Sequence, residues 1–132
     1  MDDLRDHVIT SLGQTGSFNE AKDGMDLAMI IIDFNKKEVQ FSGAYNPLYL
    51  IKNNELTQIK ADKMPIGYHP KKSDSFTMQE IDIFEGDCIY STSDGYHDQF
   101  GGPDGRKLLL RTFKNLILKN HSKSMDEQRQ IL

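Results

Sequence analysis

The decamer from Met25 to Phe34, MDLAMIIIDF, constrains the fold more than any other stretch of the chain. It is β-branched and almost continuously apolar, so it is expected to be a central strand covered on both faces. Asn35-Lys36-Lys37 then reads as a hairpin loop leading into Glu38 to Ser42, where Val39 and Phe41 alternate with polar neighbours. In a second hairpin, Pro47 to Lys52 and Glu55 to Ala61 flank Asn53-Asn54, a pair that tolerates the left-handed backbone of a tight turn. Asp62 to Pro70, with two prolines and a glycine, is expected to be an irregular connection. Ser75 to Ile83 alternates again, and Asp87 to Ser93 places Cys88 and Tyr90 on one face of a strand and Ile89 on the other.

Helical spacing appears only near the ends. Leu4, Val8 and Leu12, with Ile9 beside them, make one apolar stripe on a short helix that Asp2 or Asp3 could cap. Gly13, Gly16, Ser17 and Asn19 break it. Leu109, Leu110, Phe113, Leu116, Ile117 and Leu118 give a helix from Lys107 to about Asn120, with Lys107 and Arg111 on its wet side, and a short helix is expected after Ser124. Mostly antiparallel strands bracketed by helices make an α+β pattern.

At 132 residues the chain is one domain's worth, expected to hold one core. Its 27% charged residues, and the lack of any apolar run near the ~20 residues of a membrane span, read as a soluble domain without membrane insertion. The formal charge of −4 is spread along the chain, without the concentrated basic footprint of a nucleic-acid binder. Cys88 is the only cysteine, which excludes an internal disulfide and paired-thiol zinc sites, and fits a reducing cytoplasm. Without a basic cluster nearby it reads as a small buried hydrophobe.

Chemistry is concentrated in Ser93-Asp94-Gly95 and its continuation through Tyr96, His97, Asp98, Gln99, Phe100, Gly101 and Gly102. An aspartate at a strand end projects its carboxylate past the sheet rim, and a following glycine permits a sharp turn. Such a carboxylate suits magnesium or manganese, which favour oxygen ligands and often take only one or two carboxylates each. Ser-Asp-Gly alone is equally an ordinary turn former. An EF-hand starting at Asp94 fails at Tyr96, Gln99 and Gly105, and a nucleophile elbow fails at Ser91. His97 and Asp98 have the residue types of a catalytic pair, but adjacent loop residues seldom point together.

Five segments together carry a resemblance: FNEAKDGMDLAMIIID (Phe18 to Asp33), FSGAYNPLYLI (Phe41 to Ile51), ADKMPIGY (Ala61 to Tyr68), EGDCIYSTSDGYHDQFGG (Glu85 to Gly102) and the helix near Lys107. In order and spacing they resemble the bacterial sporulation and stress-response serine phosphatases, the SpoIIE-like branch of the PPM metal-dependent phosphatases. The resemblance implies part of an αββα sandwich with a two-metal site, Mn2+ or Mg2+, at one edge of its two sheets. It implies hydrolysis of phosphoserine by a metal-activated water, without a covalent enzyme intermediate. Asp94 matches the family's metal-binding aspartate and Gly95 the glycine beside it, while Asp98 is a candidate outer-sphere support. The Met64-Pro65-Ile66-Gly67 loop resembles one near the catalytic rim.

Two departures qualify the resemblance. The family's earlier Asp-Gly segment, which supplies a bridging aspartate, is expected upstream of Leu4, and its terminal metal-binding aspartate beyond Leu132. Asp23-Gly24 and Asp26 match a different segment at the start of a strand and read as a structural turn. The chain is thus expected to be a single partial domain, inactive alone, from a parent enzyme. That enzyme would dephosphorylate a regulatory protein such as an anti-sigma-factor antagonist. The alternative is a non-catalytic, phosphatase-like module that binds a partner or transmits a signal. A sandwich with strands removed leaves apolar faces uncovered, so a homo-oligomer is expected.

Overall fold

The computed structural model describes residues 1–17, 23–70, 74–101 and 105–132, so Asn19, Gly102 and the start of the Phe18 to Asp33 segment lie outside the described residues. In chain order the first elements are α1 (Asp2–Ser11), β1 (Gly24–Met25), β2 (Leu27–Asp33), β3 (Glu38–Ala44), β4 (Leu48–Lys52), β5 (Glu55–Ile59) and β6 (Ile66–Gly67). After them come β7 (Gln79–Asp82), β8 (Cys88–Ser91), α2 (Asp94–His97), β9 (Phe100–Gly101), β10 (Arg106–Lys107), α3 (Leu110–Asn120) and α4 (Met125–Ile131).

Two antiparallel sheets carry the fold, one ordered β2-β3-β7 and the other β5-β4-β8. Alternation along β3 turns Val39 and Phe41 to one face, where they meet Leu48 of the second sheet and are fully enclosed. Ala28, Ile30 and Ile81 join from the first sheet, and Ile59 and Ile89 from the second, closing an inter-sheet core. Each fully buried side chain of this size contributes roughly 1.5–3 kcal/mol. The opposite face of the second sheet presents Tyr49, Ile51, Cys88 and Tyr90 to Phe113 and Ile117 of α3. Tyr49 and Tyr96 both meet the Phe113 ring edge-on, at 5.4 and 5.3 Å between centroids. On the far side of the first sheet, Leu4 and Val8 of α1 pack on a cluster of Ala44, Met64, Ile66 and Phe76. Helix, sheet, sheet, helix is the layering expected for an αββα sandwich, and the domain is α+β.

The two hairpins form at the expected places. Asp33 Oδ1 accepts from the backbone N–H groups of Asn35 and Lys36, fixing the first turn. Asn53 and Asn54 have φ of 52° and 63°, the left-handed pair that a two-residue hairpin with the strands' own twist requires.

The isoleucine-rich strand corrects an expectation. β2 lies at the edge of its sheet, and its inner face is covered at Ala28 and Ile30 but not at Ile32, which is exposed. On its other face α1 reaches the Leu27 end, leaving Met29 and Ile31 exposed at 37% and 56%, and Phe34 beyond the strand at 81%. A continuous apolar run records affinity for burial but does not specify how many layers are available to supply it.

Other boundaries shift for local reasons. The expected strand from Ser75 begins only at Gln79, because side-chain carboxylates already engage the preceding backbone. Asp2 accepts from the Phe76 N–H at 3.1 Å, and Asp62 from the Thr77 N–H at 2.7 Å. Asp2 is therefore no helix cap. It lies in the first turn of α1, behind Met1, and also pairs with Arg5 at 3.0 Å. Arg5 takes the inward place that the stripe assigned to Leu12, which follows the helix and is exposed. Its guanidinium stacks over Phe76 and donates to the Asp74 carbonyl at 2.8 Å. Lys107 is not on the last long helix but in β10, and α3 starts three residues later, after Leu109 at φ 64°.

Gly43 ties the first sheet to the next hairpin. A Cβ built on it would lie 2.6 Å from the Asn46 carbonyl oxygen and 2.7 Å from both Ala61 Cβ and Phe41 Cζ. Gly43→Ala is expected to cost about 1–3 kcal/mol through overpacking, read as a lowered urea midpoint with unchanged slope. A midpoint equal to wild type would show that this contact relaxes freely.

Candidate metal-binding cleft

β8 ends at Ser91, and after Thr92 the chain enters the single helical turn α2, with Ser93 at its N-cap. Asp94 is the first residue of that turn, and its carbonyl accepts from the Asp98 N–H at 2.9 Å. The turn places the Asp94 side chain in a cleft of about 350 Å³ at the rim of the sandwich. Gly95 lies inside α2 without a positive φ, and the only atom near a Cβ built there is Ser93 Oγ at 3.5 Å. The sharp turn expected of that glycine is instead an ordinary helical one.

The opposite wall comes from the other sheet. β1 pairs with β6 whereas β2 pairs with β3, so the chain changes partners at the one residue between them, Asp26. Its carboxylate lines the same cleft as Asp94. Partial burial, and then the negative charge of Asp94, push the Asp26 carboxyl above its ordinary range. Tyr45 at φ 58° and Pro47 complete one side, and Tyr49 and Gln58 the floor toward β5.

The structure thus brings Asp94 together with Asp26 and His97, and leaves Asp98 aside. Asp98 Oδ1 lies 3.0 Å from Lys107 Nζ, and Asp98 is not among the residues lining the cleft. His97 Nδ1 is enclosed without a hydrogen-bond partner among the described residues. His97 ends α2 and Asp98 caps it, and no hydrogen bond or ion pair joins their side chains among the described residues. The sequence carries a signal for the place of Asp26 in the cleft: it is the one charge interrupting the apolar run Met25 to Ile32.

A carboxylate made harder to ionise by burial and by a second acid in the same cleft suits a divalent cation, whose charge offsets the repulsion. Two oxygen-donor side chains are the residue types that a hard ion takes, with water completing its shell. The pair does not by itself reach the bridged two-metal arrangement, since among the described residues no group of three or more His, Cys, Asp or Glu side chains is placed to hold a metal.

Comparison with known proteins bears on the family and the fold. The sequence profile of the family described as Stage II sporulation protein E matches residues 4–132. The solved SiaA-PP2C domain of Pseudomonas aeruginosa superimposes with a TM-score of 0.71 at 22% identity, over 98% of this chain and 55% of that one. The chain therefore spans about half the length of that domain's chain. Comparison with curated protein sequences gave no match. Among the described residues no helix is long and apolar enough to cross a membrane.

Proposed function

This chain belongs to the Stage II sporulation protein E family, with a PP2C-like phosphatase fold, and from that premise we propose that it forms part of a Mn2+- or Mg2+-dependent phosphoserine phosphatase. The supporting observation is the convergence of Asp94 and Asp26, from two different sheets, on one rim cleft. Asp94 serves as a metal ligand, Asp26 as its partner across the cleft, and the α2 turn holding Gly95 fixes the approach. Asp98 supports the site indirectly, by anchoring the segment after α2 to Lys107. A cation bound there would neutralise phosphoryl charge and lower the pKa of a water nucleophile. The chain's own residues orient the phosphoserine segment against Tyr45 and Pro47 and exclude water on the Tyr49 side. A phosphorylated regulatory protein, such as an anti-sigma-factor antagonist in the cytoplasm, is the proposed substrate.

The test is phosphate release from a phosphoserine protein by a longer family protein containing this segment. Activity should require manganese or magnesium and fall by at least about a hundredfold in Asp94→Asn, with the circular dichroism spectrum unchanged. Retained activity in that variant would refute the assignment. For the 132-residue chain alone, two carboxylates imply manganese binding weaker than about 100 μM and no turnover. The absence of a third acidic ligand among the described residues favours one other reading, a non-catalytic phosphatase-like module. The two part on whether the longer protein hydrolyses any phosphoserine substrate. The exposed apolar face of β2 also supports self-association, so sedimentation should show a dimer or larger species, and a monomer at high concentration would exclude it.

A further inference from the structure

Gln58 lines more than the carboxylate cleft. Tyr45, Pro47 and Gln58 also wall a second hollow of about 420 Å³, whose other side carries Lys60, Asp62 and Lys63. The shared wall sets the two hollows side by side, one acidic at Asp26 and Asp94 and the other carrying Lys60 and Lys63.

The basic character of that hollow survives its one acid. Asp62 is occupied by Thr77, whose N–H and Oγ1 lie 2.7 and 3.0 Å from its two carboxylate oxygens. Lys60 and Lys63 are exposed, and neither is in an ion pair among the described residues. At the junction of the hollows Lys114 donates to Gln58 Oε1 at 2.6 Å, adding a third positive charge beside the wall. A chain with an acidic balance overall thus gathers three lysines against the one charge of Asp62 in and beside the hollow next to its carboxylate pair.

We propose that Lys60 and Lys63 form a docking subsite for the acidic flank of a phosphoserine peptide whose phosphate occupies the carboxylate cleft. This rests on the phosphatase reading above and specifies its substrate class: a phosphoserine with glutamate or aspartate nearby in sequence. Charge complementarity selects that occupant. A polyanionic peptide is repelled by Asp26 and Asp94 unless a cation offsets them, whereas the lysines attract its flank in either case. The subsite therefore sets specificity and capture, and the carboxylates the cation dependence.

The test titrates the isotope-labelled chain, in manganese-free buffer with Mg2+, with three synthetic peptides. One is a phosphoserine peptide flanked by glutamates, one the same peptide with glutamines, and one the glutamate peptide without phosphate. The glutamate phosphopeptide should shift the Lys60 and Lys63 amides, and its affinity should fall about tenfold in Lys60→Glu/Lys63→Glu but not in Lys119→Glu/Lys123→Glu. The glutamine phosphopeptide should be unaffected by either pair. Equal binding of the two phosphopeptides, equal loss in both double variants, or no binding at all would overturn the subsite. Equal binding of the phosphate-free glutamate peptide, with the Lys60/Lys63 dependence intact, would overturn the placing of the phosphate in the carboxylate cleft and leave an acidic-peptide surface, whereas the phosphatase reading falls only if the longer protein releases no phosphate.

Discussion

Phe41→Ala is expected to cost roughly 3–5 kcal/mol of folding stability, enough to consume much of what a domain of this size possesses. Phe41 has no exposed surface and stands where the β2-β3-β7 sheet meets Leu48 of the second sheet. Its ring fits against Gly43, whose missing side chain provides the room, since a Cβ there would come within 2.7 Å of the ring tip. Sheets tied by ladder hydrogen bonds on both sides of the gap cannot collapse to fill the vacated volume, so the cavity contribution stays near its full size. Phe34→Ala is the matched control, because that ring is 81% exposed and its loss should move stability by no more than about 0.5 kcal/mol. Equilibrium urea unfolding separates the two. A Phe41→Ala cost below about 1.5 kcal/mol would mean that the two sheets do not share a continuous core.

How much of this was legible in the sequence follows from where the determining forces are local. The hairpins were readable because a turn's chemistry sits in its own residues, as Asn53-Asn54 and Asp33 show. Alternation in β3 and the helical spacing of Phe113 and Ile117 likewise declare which face is buried. The errors arose where distant residues compete. Nothing near Ser75 announces that Asp2 and Asp62 will capture the N–H groups after it, at sequence separations of 74 and 15. Lys107 fitted a helical pattern by period, yet β9 supplies a strand partner and Asp98 an opposite charge. Neither is visible to a period count.

The candidate site divides in the same way. Asp94 stood out because a strand end, a serine and a glycine surround it within three residues. Asp26 needed tertiary information: its position matters because β1 and β2 pair with different partners on either side of it. A charged residue interrupting an apolar run, with a glycine two positions earlier, is the pattern such a sheet-switching point leaves in sequence.

Asp94→Asn tests that pairing directly. Removing the negative charge should lower the Asp26 titration midpoint toward the ordinary aspartate value of 3.8, leaving only the part of the elevation caused by burial. The linkage has a definite sign. With its folded-state pKa raised, Asp26 binds a proton more tightly in the folded chain, so its penalty on stability is absent below the unfolded pKa and fully present at neutral pH. The penalty therefore grows as pH rises through the window just above 3.8, and part of it should vanish in Asp94→Asn. The same substitution should weaken manganese binding at least about tenfold, because an amide retains an oxygen ligand but not the charge that favours a hard cation. Carboxyl-carbon NMR across the acidic range, with paramagnetic broadening by added manganese, reads both effects on one sample. An Asp26 midpoint unmoved by the substitution would show that the two carboxylates do not sense each other. Unchanged broadening would show that the cation, if it binds, sits elsewhere, whereas joint loss of coupling and affinity is what a shared cleft requires.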